Sequence, residues 1–263
     1  MGKVIGVISL KGGVGKTSSV VSLGASFASL GKKVLLVDAN FSAPNLGMHL
    51  NIMDPKKSLH DVFHDCNPQD AIHKLEHFDV LPASVFPKVR SEPLKLKNKL
   101  RHLRRKYDVV LLDSSPSLNE ETLAVILAAD ELLVVTTPDY STLTMTLKAI
   151  KLAKQRGTPI KGIILNRVYN KNFELSLDEI ERSSEVPVMA VIPHDVRVMR
   201  SQAHFVPSIH LKPKSSLSEE YMKLAAVLVG EKYDPRSSRN LFRKVVPKRQ
   251  DINREIFYRS IFR

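Results

Sequence analysis

Two lysines stand five positions apart in a glycine-rich segment near the start of the chain. Residues 9–17 read Ser-Leu-Lys-Gly-Gly-Val-Gly-Lys-Thr, with Lys11 before the glycine cluster and Lys16 after it. A short apolar run precedes this segment, and residues 17–30 follow it with helical spacing. Unpaired N–H groups at a helix N-terminus, and glycines that lack a Cβ, favour a bound phosphate. The segment therefore predicts a loop that binds the phosphates of a nucleotide.

The residues of this loop are expected to contact different parts of a Mg²⁺-bound nucleotide. Lys16 would reach the β and γ phosphates, and the Thr17 hydroxyl would ligate Mg²⁺. The common pattern G-x-x-x-x-G-K-[ST] requires glycine at position 10, where this chain has Leu10, so the match is to Lys-Gly-Gly-x-Gly-Lys-Thr instead. The predicted nucleotide-binding residues of the loop are Lys11, Gly12, Gly13, Val14, Gly15, Lys16, Thr17 and Ser18.

Two aspartates end apolar strand-like runs, Asp38 after residues 34–37 and Asp113 after residues 109–112. Ligands of open α/β sheets bind beyond the C-terminal ends of the strands, so both carboxylates are expected to face that crevice. Carboxylates there can hold the water molecules that Mg²⁺ keeps. A cap on the following helix is the alternative role for either aspartate.

The elements that must position these residues alternate along the chain. Near-continuous apolar strands joined by helices are typical of a parallel sheet buried on both faces. The sequence thus predicts an α/β fold with a mainly parallel sheet flanked by helices on both faces. Strands are predicted at 3–9, 34–38, 109–113, 131–136, 162–166 and 188–192, and helices at 17–30, 45–50, 94–106, 141–155, 177–184, 196–203 and 217–229.

The chain resembles the MinD/ParA family of P-loop ATPases with the deviant Walker A loop, and MinD-like proteins most of all. The resemblance covers roughly residues 1 to 230. Besides the loop, it rests on the segments 35–40, 108–116, 164–167 and 191–193, which read LLVDAN, DVVLLDSSP, ILNR and VIP.

This resemblance implies an ATPase that binds ATP or ADP with Mg²⁺ and forms a homodimer when ATP is bound. Lys11 would reach across that dimer to the partner's ATP, as an arginine finger acts in trans. Asn166 and Pro193 would lie on the adenine side. A further protein, which the sequence does not identify, would stimulate hydrolysis.

One position departs from the family. Many members carry a second aspartate two residues after the first, whereas this chain has Asn40. An amide can orient a water through a hydrogen bond but cannot take its proton at neutral pH. Slow hydrolysis is therefore expected. The predicted catalytic residues are Lys11, Lys16, Asp38, Asn40 and Asp113, and the predicted metal-site residues are Thr17, Asp38 and Asp113.

Composition is that of one soluble globular domain, with 263 residues of which 43% are apolar. The sequence shows neither a signal peptide nor an apolar run of the ~20 residues that span a bilayer. The single cysteine, Cys66, excludes an internal disulfide and fits a reducing cytoplasm. One thiol also argues against the relatives that hold an iron–sulfur cluster with several cysteines.

Two other clusters invite functional interpretations. His60 and His64 precede Cys66 at helical spacing; we expect solvated surface histidines, with a metal site as the alternative. Residues 95–106 place three leucines on one helical face among lysines and arginines. A core-packed helix with a solvated basic face is expected there, and contact with nucleic-acid phosphates is the alternative.

Charge is concentrated at the C-terminal end. The whole chain carries a net charge of +13, and residues 232–263 hold ten Lys/Arg against three Asp/Glu, a net +7. We therefore divide the chain into an ATPase domain, residues 1–231, and a basic tail, residues 232–263. Within the tail, residues 236–246 place Leu241, Phe242, Val245 and Val246 on one side of a helix, as expected for a segment that lies on an anionic membrane. Docking on the chain's own core, or disorder, is the alternative.

Three functions are consistent with the sequence. The first is a MinD-like ATPase that cycles between the cytoplasm and the cytoplasmic face of the membrane to position a cellular structure or division site. The second is a ParA-like partition ATPase that binds DNA without reading its sequence. The third is a scaffold that binds ATP and hydrolyses it very slowly.

Overall fold

A computed structural model describes residues 2–231, which form one eight-stranded sheet. The predicted basic tail lies outside the described residues. The strands are β1 (Lys3–Ile8), β2 (Val34–Asp38), β3 (His73–Lys74), β4 (Asp79–Leu81), β5 (Val109–Asp113), β6 (Glu131–Thr136), β7 (Ile160–Val168) and β8 (Val188–Pro193). Their order across the sheet is β3-β4-β2-β5-β1-β6-β7-β8, and neighbouring strands are parallel except for β3 with β4. The predicted mainly parallel sheet is confirmed.

The central strands are apolar on both faces because helices cover both. Successive side chains of a strand point to opposite sides, so Val4 and Ile8 pack into one core while Ile5 and Val7 pack into the other. The helices are α1 (Lys16–Ser29), α2 (Leu46–His49), α3 (Leu59–Phe63), α4 (Leu96–Leu100), α5 (Glu120–Ala128), α6 (Tyr140–Gln155), α7 (Leu177–Ser184), α8 (Arg197–Ala203), α9 (Ser208–Leu211) and α10 (Ser216–Val229). Helices α3 to α7 cover the first core, and α1, α2, α9 and α10 cover the second.

The segment predicted as one helix over residues 94–106 is broken. Only α4 is α-helical, with short 3-10 turns on either side of it. Leu96, Leu100 and Leu103 nevertheless share a buried face, as the spacing predicted. The Tyr107 hydroxyl, just after this segment, donates to Asp79 Oδ2 of β4 at 2.6 Å.

Five elements were missed, the strands β3 and β4 and the helices α3, α5 and α9. The two strands contain only two and three residues, too few for an alternating pattern to stand out. For α5 the local signal was present, because Asn119 caps the helix by accepting from the Thr122 amide and two glutamates follow in the first turn. In residues 2–231, none of the helices combines the length and apolar character needed to cross a bilayer.

Candidate functional site

The loop between β1 and α1 leaves open space above its backbone. Gly13 and Gly15 have φ values of +77° and +88°, in the left-handed region that favours glycine. A Cβ placed on Gly12 or Gly13 would meet no atom of residues 2–231 within 4 Å. The N-terminus of α1 has neither a side-chain cap nor an acidic residue in its first turn, within the described chain. A phosphate can therefore approach these amides closely.

Asn166 supports this loop from the end of β7. Its Nδ2 donates to the Val14 carbonyl oxygen at 2.7 Å, and a Cβ on Gly15 would lie only 2.2 Å from that Nδ2. The loop and Asn166 thus fit together only when position 15 is glycine. Pro193 ends the neighbouring strand β8, and the next residue, His194, stacks on Tyr169 at 4.3 Å between ring centroids. The adenine contacts of Asn166 and Pro193 stay a prediction.

Lys16 is buried and forms an ion pair with Asp113. Its Nζ contacts Asp113 Oδ1, and both side chains are almost fully enclosed. A buried charge needs such a partner, because transferring an unpaired ion out of water would cost several kcal/mol. Asp113 Oδ2 is also buried and has no hydrogen-bond partner among residues 2–231. That oxygen is available to accept from a water.

Asp38 lies beside Asp113, because β2 and β5 pair in parallel with these two residues in register. Its Oδ1 accepts from the Asn40 amide at 3.2 Å, and its Oδ2 accepts from the amides of Asn45 and Leu46 at 3.0 and 2.9 Å. Burial and the neighbouring Asp113 carboxylate raise the pKa of Asp38 to about 7. Asp38 therefore anchors the chain that follows it, residues 40–46, which we call the switch segment.

Asn40 is buried at the start of the switch segment. Its Nδ2 donates to the carbonyl oxygen of Ala43. Its Oδ1 is enclosed and, within the described part of the chain, has no hydrogen-bond partner. An amide oxygen in this state can accept a hydrogen bond from a water. The site thus holds one unpaired oxygen on Asn40 and one on Asp113.

Lys11 points the other way, toward α6. Its side chain is 39% exposed, and its Nζ lies 2.9 Å from Thr142 Oγ1, 3.3 Å from Ser141 Oγ and 3.5 Å from Asp139 Oδ1. Asp139 caps α6 by accepting from the Thr142 amide. The two lysines of the loop therefore have separate surroundings, one enclosed and one at the surface.

Three neighbours of these residues were not anticipated from the sequence. Asp139 directly before the helical spacing of α6 is a recognisable helix-start signal, but nothing local points from it to Lys11. Glu121 on α5 accepts from Ser42 in the switch segment. His49 at the end of α2 is half-buried, and this burial lowers the pKa of its imidazole.

The histidines of the 60–66 cluster have different environments. His60 is buried, so the expectation of a solvated side chain is wrong for it; its Nδ1 accepts from the Ser84 amide at 3.1 Å. It is buried because it packs edge-on against Phe41. His64 is exposed, with Nε2 2.9 Å from the Arg90 carbonyl oxygen. Among residues 2–231, no group of three or more His, Cys, Asp or Glu is placed to hold a metal ion.

Comparisons with known proteins agree with this geometry. A family model described as an AAA domain matches residues 2–161. An uncharacterised ATP-binding protein of Methanocaldococcus jannaschii is 35% identical over 89% of this chain and 90% of its own length. The cell division ATPase MinD of Pyrococcus furiosus superposes with a TM-score of 0.83 at 33% identity, covering 88% of this chain and 99% of that one. MinD of Pyrococcus horikoshii, solved with Mg-ADP, gives 0.81 at 30% identity and covers 93% and 100%.

Proposed function

The chain belongs to the MinD/ParA family of P-loop ATPases, and from this premise we propose that it is a MinD-like ATPase. In this proposal, Mg-ATP-dependent homodimerisation switches it between the cytoplasm and the cytoplasmic face of the membrane, where it positions a cellular structure or division site. Its cofactors are adenine nucleotide and Mg²⁺. The observation that carries the proposal is the divided loop, with Lys16 enclosed at Asp113 and Lys11 at the surface.

The outward position of Lys11 supports a role in trans. A lysine that served only its own nucleotide would be expected inside the site with Lys16. The surrounding edge of the sheet also exposes apolar side chains. The segments that follow β5, β6, β7 and β8 expose five large ones, which are 51–77% exposed: Leu118, Tyr140, Tyr169, Phe173 and Val196. Since the C-terminal ends of parallel strands meet at one edge, a second copy of the chain could cover these side chains while receiving Lys11.

The residues present fit a nucleotide with Mg²⁺. When bound, ATP and Mg²⁺ supply the transferable phosphoryl group and a cation that neutralises its charge. Lys16 and the uncapped amides of α1 would hold the phosphates. The unpaired Asp113 Oδ2 and the Thr17 hydroxyl would hold the cation and its waters, while Asp38 keeps the switch segment in place.

Water activation is the slow element of this site. Asn40 Oδ1 would accept a hydrogen bond from the attacking water and orient it, but an amide takes no proton at neutral pH. We therefore propose slow basal hydrolysis that a partner protein increases. If this hydrolysis were almost absent, the protein would act as a scaffold that binds ATP.

The membrane part of the proposal rests on the sequence of the tail. Its net charge of +7 and the apolar side formed around Leu241 and Phe242 suit an anionic lipid surface. One short segment of this kind binds weakly, and pairing two of them in an ATP dimer would increase attachment by avidity.

DNA binding is the second candidate, favoured by one observation on the described residues. Residues 95–106, which contain α4, bury their three leucines and expose Lys95, Lys97, Arg101, Arg105 and Lys106. Such a basic surface with few aromatic side chains fits phosphate contacts that do not read sequence.

Co-sedimentation separates these candidates. The full chain is mixed with anionic liposomes and, in parallel, with plasmid DNA, each with ADP and with a slowly hydrolysed ATP analogue. Liposome binding that requires the analogue supports the MinD-like function. Binding to DNA alone, with a steep loss as salt is raised, would replace it with the partition function.

A further inference from the structure

Glu121 is a buried carboxylate outside the residues assigned above. It is the second residue of α5 and is 5% exposed, whereas the preceding Glu120 is exposed to solvent. Its Oε2 is enclosed and has no hydrogen-bond partner among residues 2–231, so only the bonds to Oε1 compensate for the lost water. Glu121 Oε1 accepts from the Ser42 amide at 3.0 Å and also from the Ser42 hydroxyl. The carboxylate is therefore committed to one residue of the switch segment.

The other side-chain hydrogen bonds of the switch segment come from residues close to it in sequence, and they include one from Asn45 Nδ2 to the Ala43 carbonyl oxygen at 2.9 Å. Asp38 holds the amides of Asn40, Asn45 and Leu46, and Asn40 holds the carbonyl of Ala43. These contacts span at most eight positions in sequence. The contact from Glu121 spans 79, and it fixes the outer part of the segment to a separate helix.

That helix is itself tied to the chain after Asp113. Asn119 caps α5, and the Thr122 hydroxyl donates to the carbonyl oxygens of Ser115 and Ser117 at 3.0 and 2.7 Å. Residues 114–119 and α5 therefore form one local unit. This unit directly follows Asp113, the partner of Lys16. Glu121 connects the unit to the switch segment, which contains Asn40.

We propose that Glu121 is a positioning residue for hydrolysis, which holds Ser42 and thereby sets the place of Asn40 relative to Asp113. This role rests on the proposed ATPase function. Through Glu121, the switch segment and the chain that follows Asp113 would move together. An open surface depression of 580 Å³ lies beside the contact and is lined by Phe41, Ser42 and Glu121 among others.

The test compares Glu121→Ala and Ser42→Ala with the matched control Glu120→Ala, which removes an exposed carboxylate one residue away. For Glu121→Ala we expect kcat to fall about tenfold, since small misplacements of reacting groups cost that much or more. Binding of a fluorescent ATP analogue should stay within about twofold, because Glu121 touches none of the loop residues. The double variant should be no slower than the worse single variant, as expected for two residues that act through one contact.

Hydrogen exchange of the protein without nucleotide gives an independent readout. Amides of residues 40–46 should exchange faster in Glu121→Ala and Ser42→Ala but not in Glu120→Ala, while amides of α1 keep their protection. If wild-type protein hydrolyses no ATP, the proposed function fails and the exchange experiment still tests the contact. Unchanged exchange at residues 40–46, or unchanged kcat in an active enzyme, would overturn the positioning role. If Glu121→Ala does not fold, Ser42→Ala still tests the contact: it removes the hydroxyl donor and keeps the amide donor, so a smaller increase in exchange at residues 40–46 is expected, and no increase would overturn the positioning role.

Discussion

The Lys11 ammonium lies 2.9 Å from the Thr142 hydroxyl of its own chain, at the start of α6. Asp139 accepts a hydrogen bond from the Thr142 hydroxyl and also contacts Lys11. Burial by itself would raise the pKa of Asp139, but hydrogen bonds from Thr137 and Thr142, together with the Lys11 charge, lower it to about 2. Asp139 is therefore ionised at physiological pH, and Lys11 must leave a charged site in its own chain before it can reach a partner.

Lys11→Ala should separate nucleotide binding from dimerisation. Lys16 and the α1 amides remain, so Mg-ATP binding should persist. Dimerisation and hydrolysis should be lost, because the cation that acts in trans is absent. Light scattering with ATP measures dimerisation, and phosphate release measures hydrolysis. The control is Lys148→Ala, which changes an exposed lysine on α6. A Lys11→Ala protein that dimerises normally with ATP would show that the role taken from the family is wrong here.

Asn40→Asp should raise the rate of hydrolysis. A carboxylate can accept the proton that the amide cannot, and a positioned general base contributes about 100-fold or more. The gain will be reduced because the aspartate loses the Nδ2 donor to Ala43 and adds charge near Asp38. Phosphate release is measured with and without a stimulating partner, and Asn98→Asp on exposed α4 serves as control.

Asp38→Ala and Asp113→Ala should instead lower the rate, since each removes a carboxylate beside the phosphate loop. An unchanged or lower rate in Asn40→Asp would mean that water is oriented by another group, or that a conformational step limits turnover.

Truncation after Glu231 should abolish nucleotide-dependent liposome binding and leave ATP binding and dimerisation intact. Every predicted nucleotide contact lies within residues 2–231. Leu241→Asp combined with Phe242→Asp should have the same effect at full length, because both carboxylates fall on the side meant to enter the lipid.

Asn240→Asp adds a carboxylate on the opposite side of the helix and should retain most of the binding. Vesicle sedimentation measures all three proteins. Persistent binding by the truncated chain would rule out the tail as the membrane contact.

Acidification should destabilise the protein through His210 on α9. Its ring stacks on His77 with 4.0 Å between centroids. Burial and the neighbouring His77 charge lower the pKa of His210, with Glu76 acting weakly in the opposite sense. A lowered pKa in the folded state means that this stability is present above the unfolded value of 6.5 and is lost as pH falls below it.

The fall in Tm between pH 7.5 and about pH 5 should therefore be smaller in His210→Gln than in wild type. The exposed His204→Gln serves as control and should match wild type. An identical pH profile for all three proteins would exclude this pair as a source of acid sensitivity.

The sequence alone determined the central strands and the phosphate loop. Six strands were predicted close to their observed bounds because each is a run of apolar residues, and burial of such runs is encoded by the residues themselves. The loop was recognisable because glycines, lysines and a following helix are local features. The two carboxylates could be placed at one edge because strands of a parallel sheet end together.

Tertiary structure alone decided which side chains meet. Ser42 and Glu121 are 79 positions apart, and Lys11 and Thr142 are 131 apart. Local patterns also failed to show that His60 is buried and that Asn166 supports the loop backbone. Such contacts depend on how helices pack across the sheet, which many distant residues set together and which no short stretch of sequence encodes.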